Sequence, residues 1–206
     1  MMDQLKKMYR EEWDYFKAQI MRPAIVCALG FFAVAVFYYA ASMQDMAAAQ
    51  TLFSQIGEAF AEKGLLAEMS SLQLFWMIFS NNIVAGFFVF AAGIIPFISL
   101  PFWLVLFNAA LAGVVVAVSQ DSGASALGMV ASLLPHGIVE LPALFFTAGL
   151  GIRIGLTGTK KLIGRGKDLS YAATVRQTTQ SFLLVALPLF LLAAFIEAFI
   201  TVAIVK

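Results

Sequence analysis

The chain has 206 residues, of which 62% are hydrophobic and 12% charged, against about 25% charged residues in a soluble globular domain. A net charge of +1 gives no basic face for nucleic acid, and the single Cys27 excludes an internal disulfide and a cysteine-based zinc site. The composition describes an all-α, polytopic membrane protein in which residues 1–206 form one membrane domain in a lipid bilayer, with no cofactor implied.

Residues 1–22 are polar and charged, and a full-length apolar run follows them, which is not the pattern of a cleavable signal peptide. Leu5, Met8, Tyr9, Trp13, Phe16 and Ile20 recur at helical spacing with charges between them. This predicts an amphipathic cytoplasmic lead-in lying on the membrane face. An ordinary solvated helix is the alternative. The first span is predicted over Pro23–Ser42, with proline at the helix start, where its missing N–H costs little.

Residues 44–69 are mildly acidic and carry one apolar stripe: Met46, Ala49, Phe53, Ile56 and Phe60. They predict an external helical segment that covers the ends of the spans or docks a partner. Met69–Gln120 holds no ionisable residue, too long a run for one span and long enough for two. Pro96 and Pro101 mark the turn, which gives spans near 72–95 and 101–118. The fourth span is expected over 124–152. A Gly-broken, basic cytoplasmic segment comes next at 153–180, with Asp168 as an expected helix N-cap. Its charge suits topology and anionic headgroups. The fifth span runs from Ser181 to Val205, with Glu197 inside it.

Lys and Arg set the orientation. Eleven of the thirteen basic residues fall in 1–22 and 153–176. A cytoplasmic N-terminus and an external C-terminus, in a multi-pass protein of the cell membrane, put all eleven inside.

Several polar residues then sit at membrane depth. Asn81 and Asn82 lie in the second span, Asn108 in the third, and His136 and Glu140 in the fourth. Between Ser122 and Ile152, His136 and Glu140 are the only ionisable residues. Charges at bilayer depth cost about 2.5–3.5 kcal/mol each on insertion scales, so such groups turn inward and find one another. Small residues at Gly86, Ala109, Gly113, Gly151 and Gly155 allow the helices to approach closely. Pro135 and Gly137 flank the histidine and predict a break or re-entrant half-helix near 134–137, with an asparagine in hydrogen-bonding reach of His136 or Glu140.

Three readings of this polar core stay open. It is a buried network that fixes helix register, or a proton or ion site in a transporter or lipid-handling protein, or part of a metal site. His136 and Glu140 supply only two metal ligands, and no HExxH or other nucleophile motif accompanies them, so the metal question is left unknown and no enzyme is predicted.

The same residues resemble the stage II sporulation protein M family. The resemblance rests on Asn81-Asn82, on Asn108, on Leu134-Pro135-His136-Gly137-Ile138-Val139-Glu140-Leu141-Pro142-Ala143, and on Ala148-Gly149-Leu150-Gly151. The family pattern has Gly after the third-span Asn, where this chain has Ala109. The resemblance implies a five-span, non-enzymatic membrane scaffold. In spore-forming bacteria such a protein anchors and recruits wall hydrolases that thin septal peptidoglycan. Membrane or envelope proteins are the implied partners, and a second copy of the chain is left open.

Overall fold

A computed structural model describes the backbone of residues 2–62, 70–124 and 126–201, and the side chains of 3–55, 70–124 and 137–201. Among the described residues the chain is helical throughout. Helix α1 covers Met2–Tyr15, and one π-helical turn, Phe16–Ile20, joins it to α2 (Met21–Gln44). Then come α3 (Met46–Glu62), α4 (Ser71–Ala91), α5 (Leu100–Asp121), α6 (Ala126–Leu162), α7 (Tyr171–Ser181) and α8 (Leu187–Phe195). A π-helical turn at Phe182–Ala186 links α7 to α8, and another at Ile196–Thr201 comes after α8. Five helical segments are long and apolar enough to cross a membrane: Asp3–Gln44, Ser71–Ile94, Leu100–Asp121, Gly137–Leu162 and Tyr171–Thr201.

The fourth of these is the axis of the bundle. Helix α6 packs against α2, α4, α5, α7 and α8. The most apolar window of its span is 56% buried, against 33% or less in the other four. One core layer joins α6 to α4 and the last span through Phe146, Leu150, Phe90, Phe182 and Phe190. A second joins it to α2 and α5 through Phe145, Ala148, Phe31 and Val105. The outward faces are rich in exposed Phe, Leu, Ile and Val, as lipid requires.

The re-entrant turn expected at 134–137 is absent: one α-helix runs from Ala126 to Leu162 across Pro135 and Gly137. Pro135 forfeits one backbone hydrogen bond, a loss that transmembrane helices tolerate. The surplus length has to be taken up by tilt or protrusion. A 37-residue helix is about 55 Å long, against about 30 Å of hydrocarbon. The turn between α4 and α5 folds back on the C-terminal part of α6, where Phe97 N–H donates to Thr159 Oγ1 at 2.9 Å. That turn has left-handed backbone at Phe97 (φ 69°) and Ser99 (φ 48°), a conformation uncommon outside glycine.

The small residues act as predicted. A Cβ at Gly93, in the turn after α4, would meet the Gly151 carbonyl directly, and one at Gly155 would lie 3.1 Å from the Gly93 carbonyl oxygen. The Gly151/Gly155 pair therefore admits backbone to backbone. A Cβ at Gly113 would meet the α2 backbone at Ala35 and Tyr39.

Serine caps two helix starts, one of them in place of the expected Asp168. Ser70 caps α4 in a capping box with Gln73: Gln73 N–H donates to Ser70 Oγ, and Ser70 N–H to Gln73 Oε1. Ser170, not Asp168, caps α7, accepting from Ala173 N–H at 3.2 Å. The fifth spanning segment thus begins ten residues before Ser181. In the polar segment after α2, the α3 stripe packs Met46 and Ala49 on Val114 and Val118 of α5.

Candidate functional site

Two of the predicted site residues meet in one place. Asn108 on α5 and Glu140 on α6 line a half-open cavity of about 510 Å³ between α2, α5 and α6. Its other walls include Phe31, Tyr39, Gly113 and Leu144. The cavity exists because small residues stand where side chains would fill it. Ala35, Ala112 and Gly113 let α2 and α5 touch along one line, and beyond Gly137 there is open space. Toward α3 the α2–α5 pair is tied by Tyr39 Oη, which donates to Gln120 Oε1 at 2.6 Å.

Within the cavity wall, Asn108 Nδ2 donates to the Leu104 carbonyl at 2.9 Å, one turn back on its own helix. Among the described residues no hydrogen bond joins Asn81, Asn82 or Asn108 to Glu140. Asn108 and Glu140 thus share a cavity wall without a direct bond, and the expected contact to His136 lies outside the described residues. Glu140 stands in the field of another carboxylate, Glu197. The π-helical turn that carries Glu197 packs against both α4 and α6. Such turns add a residue to the helix and rotate the side chains beyond it, and they recur at functional sites.

Asn81 and Asn82 lie elsewhere, on α4. Asn81 is exposed. Asn82 is half-buried, and its Nδ2 has no hydrogen-bond partner among the described residues. The side chain of His136 lies outside the described residues, as does that of Pro135.

A second polar cluster sits near the other end of the bundle. Glu12 on α1 is 5% exposed. Ser181 Oγ donates to its Oε2 at 2.5 Å, and Gln177 and Gln180 Nε2 donate to its Oε1 at 3.1 and 3.2 Å. These three donors lie at i, i+3 and i+4, on one face of α7 and its end. Tyr15, one turn from Glu12, stands in the fields of Arg153 and Glu12. The cluster fastens α1 to the last span. Its sequence signal was available: Glu12 occupies a stripe position between Tyr9 and Phe16, where an apolar residue belongs.

Comparison with known proteins adds one finding. No curated protein and no solved structure matches the chain. The profile described as stage II sporulation protein M matches residues 24–202, from the start of α2 to the end of the last span. On that match, the chain belongs to the stage II sporulation protein M family of membrane proteins.

Proposed function

We propose that this protein is a non-enzymatic membrane scaffold, and that its cavity between α2, α5 and α6 receives a transmembrane helix of a partner that remodels the cell envelope. One observation carries the reading. An amide and a carboxylate, Asn108 and Glu140, line a half-open cavity between spans. Polar groups facing hydrocarbon are costly, whereas a partner helix with a polar side chain would satisfy them and cover the aromatic walls. The distribution of basic residues favours a cytoplasmic N-terminus and an external C-terminus, and in that orientation the cavity would lie in the outer half of the membrane, toward α3.

The test fills the cavity. Ala112→Leu with Asn108→Leu should leave the protein at normal abundance and remove any peptidoglycan hydrolase activity that co-isolates with the tagged chain. Undiminished co-isolation would defeat the docking role.

A second reading, transport or lipid handling through the same cavity, is favoured by the electrostatic coupling of Glu140 to Glu197. It predicts that Glu140→Gln abolishes proton-coupled flux in reconstituted vesicles while partner binding persists.

A further inference from the structure

A different groove carries an inference independent of the docking cavity. It lies beneath α1, between α6 and the start of the last span, with a volume of about 410 Å³. Tyr9 and Trp13 of α1 and Phe16 of the π-helical turn after it form its roof. Its floor contains two prolines, Pro142 of α6 and Pro188 of α8. Prolines remove N–H groups and keep helices from closing regularly. Pro188 has no N–H to offer the Leu184 carbonyl four residues back, and Tyr9 Oη donates to that carbonyl instead, at 3.5 Å. The walls are otherwise aliphatic or aromatic, and Glu12 is the single charged group. Its two carboxylate oxygens are occupied by donors from α7 and its end, so the carboxylate is committed to protein.

The rim has the opposite charge. Lys6 lies three residues before Tyr9, Arg10 three before Trp13, and Lys17 four after Trp13, so each is a surface neighbour of a roof residue. Lys17 Nζ stands 5.8 Å from the Trp13 ring centroid and 2.9 Å from Asp14 Oδ1. Trp13 and Tyr9 remain 58% and 47% exposed, as interfacial aromatics do. Among the described residues, neither Lys6 nor Arg10 is in an ion pair. An apolar slot roofed by aromatics and rimmed by flexible cations matches a molecule with an acyl tail and an anionic head.

We propose that this groove is a binding site for an anionic phospholipid of the bilayer. One acyl chain lies between Pro142 and Pro188 under Trp13, and the phosphate lies among Lys6, Arg10 and Lys17. The site differs from the general lipid shell by lying in a groove lined by α1, α6 and α8 and by selecting headgroup charge.

The groove contains its own reporter. In the full chain carrying Trp76→Phe and Trp103→Phe, Trp13 is the sole tryptophan. The protein is reconstituted in phosphatidylcholine vesicles that contain an equal minor fraction of either phosphatidylglycerol or phosphatidylcholine with brominated acyl chains. Brominated phosphatidylglycerol should be about fivefold more effective at quenching Trp13, the factor one well-placed basic side chain supplies beside an anionic lipid. A chain that retains only Trp103, on the lipid face of α5, should show no such preference. Val185→Phe fills the groove and should reduce quenching by both lipids. Lys6→Gln, Arg10→Gln and Lys17→Gln together should erase the charge preference but keep the quenching. Equal quenching of Trp13 by the two lipids, or a preference that survives the triple substitution, would overturn the proposal. The triple variant alters only exposed side chains, so that arm decides even if Val185→Phe fails to fold.

Discussion

Replacing Glu12 by Ala tests whether α1 is held by specific chemistry or only by its apolar stripe. Hydrogen bonds to a charged acceptor contribute about 1.5–3 kcal/mol each when buried. Only one of the three donors is fully buried: Ser181 is 0% exposed. Gln177 is half-buried and Gln180 exposed, so water replaces most of what they lose. Returning a carboxylate to water also recovers part of the cost of burying it. The net destabilisation should be about 1–2 kcal/mol, because Ser181 Oγ keeps the Gln177 carbonyl, 3.1 Å away, as an acceptor once the carboxylate is gone. The measurement is unfolding of the purified chain in mixed micelles, followed by helical content. A double-mutant cycle with Ser181→Ala should give a coupling of about 1–2 kcal/mol, because the two groups share one bond. Limited proteolysis should show α1 released in Glu12→Ala before the spans unfold. A loss below about 0.5 kcal/mol, the range of an unremarkable surface change, or strict additivity in the cycle, would refute the claim that this cluster fastens α1.

The packing sets three further outcomes. Gly93→Ala should destabilise by at least about 1–3 kcal/mol, because backbone at Gly151 stands in the way, whereas Gly86→Ala meets only the Phe190 ring and should cost less; the same micelle assay compares them. Asn82→Leu should leave stability unchanged or raise it by about 1 kcal/mol, since its Nδ2 is buried without a partner; a marked loss would mean that the amide is bonded in the membrane. Reporter fusions after Lys17, Gly64, Arg165 and Lys206 should read in, out, in, out, and any reversal in a folded fusion would sink the assigned orientation.

Much of the fold is legible from hydropathy because lipid imposes one rule on every span: about 20 apolar residues and no stranded backbone group. The turn at Pro96–Pro101 follows from proline's fixed φ and missing N–H, and the close contacts at Gly113, Gly151 and Gly155 follow from residue size. The helix through Pro135 departs from expectation because local propensity carries no information about its surroundings. A helix packed against five others has enough contacts along it that one missing hydrogen bond does not end it. The site is half legible. Asn108 and Glu140 mark their cavity by polarity. The separation of Asn81 and Asn82 from them depends on which face of α4 turns inward, and α4 is apolar all round, so its sequence does not say. Glu12 is hidden by company: it is one of four acidic residues among the first fourteen, and it looks like solvated surface.

The Glu12 cluster also bears on how the chain is made. Glu12 and Ser181 are 169 residues apart. At about 5–20 residues per second, a ribosome needs about 8–34 s to travel that far. Throughout that interval α1 waits with its carboxylate unanswered, and it cannot settle over its groove until the last span has been threaded. The amino-terminal helix is therefore the first element synthesised and among the last to find its place, which makes its docking a mark of completed assembly.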